Sequence, residues 1–388
     1  MKILLAPDSF KGSLSSIEAI EILKMASKNI FGKIEIIELP VADGGEGTVD
    51  SIVYAAEGEF KTYAVKGPLL KEVDAKYGLI NDGKTAVIEM AQASGLPLVP
   101  IEYRDPKKAS SFGTGQLINH VLNEGIKDII IGIGGSATND GGMGALTALG
   151  AKFYDKTGNL LEGKGEDTVN VSHIDLSGLN DNIKNSEITV ICDVKNPLLG
   201  ESGATYIYGR QKGADENSLE FLEKGMENYA DVFKKEHGID IASFEGAGAA
   251  GGIGGILKGV LGADLKPGIE AVLDAVNFDV MLNDCDLVVT GEGQIDGQSV
   301  KYGKVPLGIA KRCGAKGVPV AIIVGSMGQG AEGIYEIADS TIITTVNSIM
   351  PLDKAMLNAK ELFYSAAERL FRGIKIGMII KENSNENM

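Results

Sequence analysis

Five carboxylates occupy comparable places in this sequence. Asp8, Asp43, Asp193, Glu292 and Asp296 each lie just past a short apolar run, most of them beside glycines. If those runs are β-strands, the acids sit at the edge of an open α/β sheet where ligands bind. Carboxylates gathered there can hold magnesium or take a proton from a hydroxyl. Taken singly, each is better explained as the cap of a turn or helix; five at matching positions favour the functional reading. Lys11 follows Asp8 and Ser9 near the start of a helical pattern, where a cation gains nothing from the helix dipole. Its place makes sense with an anion beside it. Arg210 and Lys212, in Tyr208-Gly209-Arg210-Gln211-Lys212-Gly213, form a second cationic candidate.

The glycines supply the other chemical feature. The string Gly134-Gly135-Ser136-Ala137-Thr138-Asn139-Asp140-Gly141-Gly142 follows the apolar run Ile129 to Ile133. Backbone N–H groups with no Cβ in the way, aimed by a following helix, cradle phosphate. Gly132-x-Gly134-x-x-Ala137 also fits the dinucleotide fingerprint, with Asp155 downstream in the place of the ribose-binding acid. The stretch after it is too rich in glycine to start a helix promptly, and a tight turn without a ligand is the plainer alternative. Gly246-x-Gly248-x-x-Gly251 has no apolar run before it and reads as a flexible or closely packed segment. Gly158 to Lys164 fails as a P-loop, because Gly165 stands where Ser or Thr must hold magnesium. Neither the H-R-D and D-F-G strings of protein kinases nor a G-x-S-x-G nucleophile elbow occurs.

These residues need elements to position them. Short β-type runs alternate with helical patterns, the mark of an α/β protein. Strands are expected at Ile3 to Ala6, Ile34 to Leu39, Leu287 to Thr290, Val318 to Val324 and Ile342 to Val346. Ser15 and Glu18 form a capping box for a helix whose Ile17, Ile20 and Leu23 recur on one face. Helices are also expected near 303–313 and over 352–372, with a frayed tail from Lys381 to Met388. Two strands at the start and three at the end would complete one parallel five-stranded sheet. The expected domains are therefore a discontinuous one, 1–65 plus 280–388, and an α/β domain inserted at 66–279.

Composition narrows the function classes. Of 388 residues, 52 are glycine, about 13% against a usual share of roughly 7%. Hydrophobic residues reach 44%, so the glycines belong to a packed protein. Lys plus Arg is 37 and Asp plus Glu is 53, a net charge of −16, which argues against a broad nucleic-acid-binding face. Cys192, Cys285 and Cys313 are unclustered, and His120, His173 and His237 lack metal-ligand spacing. No apolar stretch approaches the ~18 residues of a membrane span, and the expectation is a cytoplasmic protein. No sequence feature specifies an oligomeric state.

Several long strings together resemble one family. A-P-D-S-F-K-G-S at 6–13, V-A-D-G-G-E-G-T at 41–48, G-G-S-A-T-N-D-G-G-M-G at 134–144, C-D-V-K-N-P-L at 192–198 and T-G-E-G-Q-I-D at 290–296 look like the bacterial glycerate kinases of type 1. The resemblance implies ATP-dependent phosphorylation of D-glycerate, usually to 2-phosphoglycerate. It also implies two α/β domains, one discontinuous and Rossmann- or flavodoxin-like, with the site in the cleft between them. Phosphoryl transfer asks for positioning, charge neutralisation and an oriented base. Position then suggests Asp193 as the base, Asp8 as the second choice and Lys11 as a catalytic cation. Ser9, Lys11, Asp43, Arg210 and the backbone of Gly44 and Gly45 would receive glycerate. Gly134, Gly135, Ser136 and Asn139 would cradle ATP phosphates, and Glu292 or Asp296 would hold Mg2+. Two other readings stay open: an NAD(P)-dependent oxidoreductase using the Gly132–Ala137 fingerprint, and a non-catalytic small-anion-binding protein.

Overall fold

The structure is a computed structural model that describes residues 1–10, 12–41, 48–297 and 304–386. Among them the strands are β1 (Lys2–Pro7), β2 (Glu35–Glu38), β3 (Glu59–Lys66), β4 (Glu72–Ile80), β5 (Thr85–Glu89), β6 (Asp128–Gly132), β7 (Lys152–Tyr154), β8 (His173–Asp175), β9 (Glu187–Ile191), β10 (Asp264–Lys266), β11 (Leu287–Ile295), β12 (Val320–Met327) and β13 (Ser340–Thr344). The chain divides into two compact units, Met1–Asp43 with Val272–Met388, and Gly44–Ala271. The division falls earlier at both joins than the sequence rhythm suggested. Strand β3 pairs along its whole length with β4 and so belongs to the inserted sheet.

The first unit is built on a five-stranded sheet in the order β13-β12-β11-β1-β2. Every pairing in it is parallel. Counted within the unit, that order is 2-1-3-4-5, the flavodoxin-like doubly wound arrangement, whose switch point lies between β1 and β11. Both strands there are nearly continuous buried runs, as a parallel sheet covered on both faces requires. The helix Ser16–Phe31 opens with the expected capping box, Ser15 with Glu18. Ile20 and Leu23 are buried, but Ile17 is 50% exposed. It lies in the first turn, where Glu18 makes the contact with the neighbouring helix, its Oε1 2.7 Å from Lys360 Nζ. That neighbour is the helix Ala359–Glu386, which supplies Phe363 and Phe371 against Phe10 and Phe31. The single helix expected over 352–372 is two, Leu352–Leu357 and Ala359–Glu386, separated at Asn358. The tail expected to fray continues the second of these through Glu386.

The second unit carries a six-stranded sheet in the order β10-β9-β6-β5-β4-β3. Strands β10, β9, β6 and β5 are parallel, while β4 and β3 add an antiparallel edge. Ile129, Ile131, Ile188 and Val190 anchor its core, which takes in Met226, Tyr229 and Phe233 of the helix Glu216–His237.

The two central strands of the first unit leave no room for a side chain at Gly291. It faces Pro7 on one side and Ile323 on the other. A Cβ there would collide with the Ile323 carbonyl and stand 3.3 Å from Phe10. Overpacking of this kind costs about 1–3 kcal/mol. Gly291→Ala should therefore lower the urea midpoint with the slope m unchanged, and an unchanged midpoint would show that the sheet yields there.

Candidate active site

In the first unit, the switch point brings together Asp8 and Glu292. The register Ala6↔Thr290 and Pro7↔Gly291 carries the two acids to adjacent strand ends. Asp8 N donates to the Gly291 carbonyl at 2.9 Å, so the chain leaves β1 still in strand register. Its own carboxylate accepts from Ser9 N at 2.6 Å. Asp8 and Glu292 are each only 5% exposed. Both line a cavity of about 370 Å³, together with Ser9, Lys304 and Thr345. Lys304 Nζ stands 3.9 Å from Glu292 Oε2. The lining also includes the apolar side chains of Phe10, Leu14, Met356 and Phe363.

Two buried acids lining one cavity, with a lysine beside Glu292, make it attractive to a cation. Mg2+ is usually held by one or two carboxylates and completed by water and substrate phosphates. The oxygen donors of Asp8 and Glu292 fit that habit. Among the described residues no group of three or more His, Cys, Asp or Glu side chains forms a fuller metal cage. Asp296 does not line the cavity. It follows the end of β11, where the neighbouring backbone pairs with 328–329 through Gly328 N to Ile295 O and Gly297 N to Gln329 O. Lys11, Asp43, Gly44 and Gly45 lie outside the described residues.

In the second unit, β6 and β9 are adjacent and parallel, and their C-terminal ends launch the glycine loop and Asp193. Asp193 is exposed, and its Oδ1 accepts from Gly268 N at 2.8 Å at the start of the helix Gly268–Ala275. The loop itself divides in two. Gly134 and Gly135 are exposed, the latter at φ +71°. Ser136, Thr138, Asn139 and Asp140 are buried. Asn139 faces inward and donates to Thr205 Oγ1 at 3.2 Å. The Asp140 carboxylate accepts from Ser111 N and Ser111 Oγ, both at 2.7 Å, and from the N–H groups of Gly142 and Gly144. It thus ties the start of the helix Phe112–Asn123 to that of the helix Met143–Ala148. Burial raises its pKa above the ordinary carboxylate value, and these donors oppose the rise.

Two of the glycines at 246–262, Gly251 and Gly252, are explained by this loop, and Gly248 and Gly255 by close approach to the Pro197 and Ile241 carbonyls. A left-handed run at Ala250, Gly251 and Gly252 lets the backbone press against the loop, and Gly141 N donates to the Gly251 carbonyl at 3.0 Å. A Cβ on Gly251 would collide with the Thr138 carbonyl. The closely packed reading of that segment is the one that holds.

The two cations of the 208–213 segment part company. Arg210 is exposed and forks onto Glu216, with Nη2 at 2.9 Å from Oε1. Lys212 is 2% exposed and points inward, its Nζ donating to Ser136 Oγ at 2.9 Å and the Thr138 carbonyl at 2.7 Å. Sequence reasoning paired these residues and missed the difference. The Asp140 network was missed as well, its only signal being an acid inside a glycine string. The dinucleotide fingerprint is not followed by a helix, which begins only at Met143. Asp155, its acidic partner, spends its Oδ1 on the N–H groups of Thr157 and Asn159.

Buried acids at a flavodoxin-type switch point and an exposed glycine turn at the ends of parallel strands define an α/β protein whose polar groups gather at the carboxyl edges of its sheets. A profile of the glycerate kinase family matches residues 3–375. The chain is 45% identical to a glycerate kinase of Bacillus subtilis (strain 168) over 376 residues, 97% of this chain and 98% of that one. It is 45% identical to the glycerate 2-kinase of Escherichia coli (strain K12) over 378 residues, 97% and 99% of the two chains. A crystal structure of a Salmonella typhimurium LT2 chain assigned as a glycerate kinase 2 superposes with a TM-score of 0.86 at 42% identity, covering 97% of this chain and 99% of that one. This chain belongs to the glycerate kinase family.

Burial holds the Lys212 ammonium down to about 7 from its ordinary 10.5, against the opposing pull of Asp140. Between those values the unfolded chain binds a proton that the folded chain has released. Folding stability therefore rises with pH across that window, by at most about 1.4 kcal/mol per pH unit from this group. Below about pH 7 both states are charged and the cost of burying the ammonium is felt in full. Urea melts at about pH 7 and about pH 9 should show this rise, and Lys212→Met should flatten it. An equal rise in the variant would mean that Lys212 keeps its proton throughout.

Proposed function

We propose that this chain transfers the γ-phosphoryl group of ATP to D-glycerate, giving 2-phosphoglycerate. The observation that carries this reading is full-length likeness: 45% identity to the E. coli glycerate 2-kinase over 97% of this chain and 99% of that one. The unpartnered fingerprint and the occupied Asp155 leave the oxidoreductase reading without a cofactor site. The paired acids of the first unit favour phosphoryl chemistry over simple anion capture, since they would repel an anion arriving without a cation.

In this reading Asp8 and Glu292 hold Mg2+, which when bound neutralises charge on the nucleotide phosphates. Lys304 supplies positive charge beside Glu292, Lys11 is a further cationic candidate by its place in the sequence, and Ser9 offers a hydroxyl to the substrate carboxylate. Asp43, Gly44, Gly45 and Arg210 are the remaining candidates for glycerate contact; Arg210 would first have to release Glu216. The exposed Gly134 and Gly135 present backbone to ATP phosphates, while the buried Ser136 and Asn139 shape the turn. Asp193 accepts the proton of the attacking hydroxyl, its carboxylate oriented by Gly268 N, and Asp8 is the alternative base, in which case Glu292 alone holds Mg2+. Three free cysteines suit a reducing compartment, the cytoplasm, where ATP is available. Among the described residues no helix is long and apolar enough to cross a membrane.

Coupling the reaction to enolase tests the product. With ATP, magnesium and D-glycerate, 2-phosphoglycerate feeds enolase directly, whereas 3-phosphoglycerate needs a mutase first. Signal without mutase is the expected result, and dependence on mutase would overturn the assignment of the hydroxyl. For the base, Asp193→Asn should cut kcat by about 10²–10⁴ and leave ATP affinity nearly intact. Turnover close to that of the parent would move the role to Asp8.

A further inference from the structure

We infer that Lys212 is a positioning residue for the nucleotide, fastening from inside the second unit the turn that receives its phosphates. The inference rests on the reading of Gly134 and Gly135 as that turn. Two sets of contacts fix the turn. Along one side, Leu96 N donates to the Gly135 carbonyl at 2.8 Å and Ala137 N to the Ser94 carbonyl at 2.9 Å. On the buried side Lys212 Nζ holds Ser136 Oγ and the Thr138 carbonyl, the residues just beyond the exposed pair. Lys212 is itself held at a tight place. Gly213, at φ +101°, lets the backbone approach Arg104 so closely that a Cβ would collide with the Arg104 carbonyl.

An ammonium buried on two uncharged acceptors is costly. The charged groups around it do not remove that cost. Asp140 is committed to Ser111, Gly142 and Gly144. Arg104 and Asp105 line the same small cavity; Arg104 Nε donates to the Val99 carbonyl and Asp105 Oδ1 accepts from Lys107 N. Among the described residues no carboxylate makes an ion pair with Lys212. An anion on the exposed side of the turn would supply the missing opposite charge. Burial places the amine near its titration point at neutral pH, so phosphate arriving at the turn favours uptake of a proton by Lys212. The residue thereby holds the turn in shape when empty and adds positive charge when the nucleotide is present.

The test uses the full chain, with magnesium and ATP as the probe, and reads steady-state kinetics and binding calorimetry in buffers of different ionisation enthalpy. Lys212→Met should raise KM for ATP about tenfold, the scale of a hydrogen bond from a charged group, and leave KM for D-glycerate within about twofold. At about pH 8, ATP binding should take up a fraction of a proton in the parent and none in the variant. Ser136→Ala keeps the amine and removes one tie, and should shift KM for ATP in the same direction by less. It carries the test should Lys212→Met fail to fold. Both Michaelis constants moving together, or neither moving, would overturn the inference. Gly134→Val separates this failure from failure of the underlying reading. Weaker ATP binding in Gly134→Val alone refutes the role of Lys212 and keeps the turn; unchanged binding in Gly134→Val refutes the turn and the inference with it.

Discussion

The first unit depends on the parallel pairing of β1 with β11. Parallel strands cannot be joined by a tight turn and need a crossover; here the sequence between them includes a whole second unit. Because β2 lies on one side of β1 and β11 on the other, the chain leaves these neighbours in opposite directions and opens a crevice at their carboxyl ends. The register Pro7↔Gly291 then decides the chemistry, since the next residue on each strand is an acid. Thr290 reinforces it, its hydroxyl donating to the Ala6 carbonyl at 2.8 Å in a fully buried layer. A slip of one residue would separate Asp8 from Glu292 and drive Gly291 out of the one place where its missing side chain is needed.

The second unit solves a different problem. Its strand-end loop must expose backbone at Gly134 and Gly135 while the rest turns inward, and buried loop backbone must be satisfied or it is costly. The solution is a set of charged side chains that serve as backbone partners. Asp140 collects N–H groups on one side of the loop, and Lys212 takes a carbonyl and a hydroxyl on the other. The left-handed Ala250–Gly252 run closes the third side at a distance only glycine tolerates. Rigidity in a glycine-rich loop thus comes from its surroundings and not from its own residues.

Much of this was legible in the sequence where the signal is local. The apolar runs marked the five strands of the first unit's parallel sheet, and Ser15 and Glu18 marked the helix start. The doubly wound arrangement followed from two strands at the start and three at the end. Long-range facts were not legible. Arg210 and Lys212 are two residues apart, yet one meets solvent and the other the core, because they open and close a single 3-10 turn and project from different sides of it. Ile17 fits the helical period, yet it is half exposed, and the residue of that turn that meets the partner helix is Glu18, through Lys360. Asp296 has the look of Glu292, but it falls beyond the last cavity-lining position of its strand. Each failure has one cause: periodicity and spacing report the element, and only tertiary packing reports which neighbour that element meets.

The pairing of β1 with β11 has a consequence for biosynthesis. Ala6 and its partner Thr290 are 284 residues apart. On the ribosome β1 and β2 emerge almost first, yet one edge of β1 waits for a partner until most of the chain has been made. At about 5–20 residues per second that wait lasts tens of seconds. The inserted unit makes up most of that wait, ending at Ala271 only shortly before β11 begins at Leu287, and it can fold as a body. The nascent chain therefore carries a folded middle behind an apolar, half-paired strand, a species suited to recognition by chaperones, and contacts of such high sequence separation are slow to form in refolding as well.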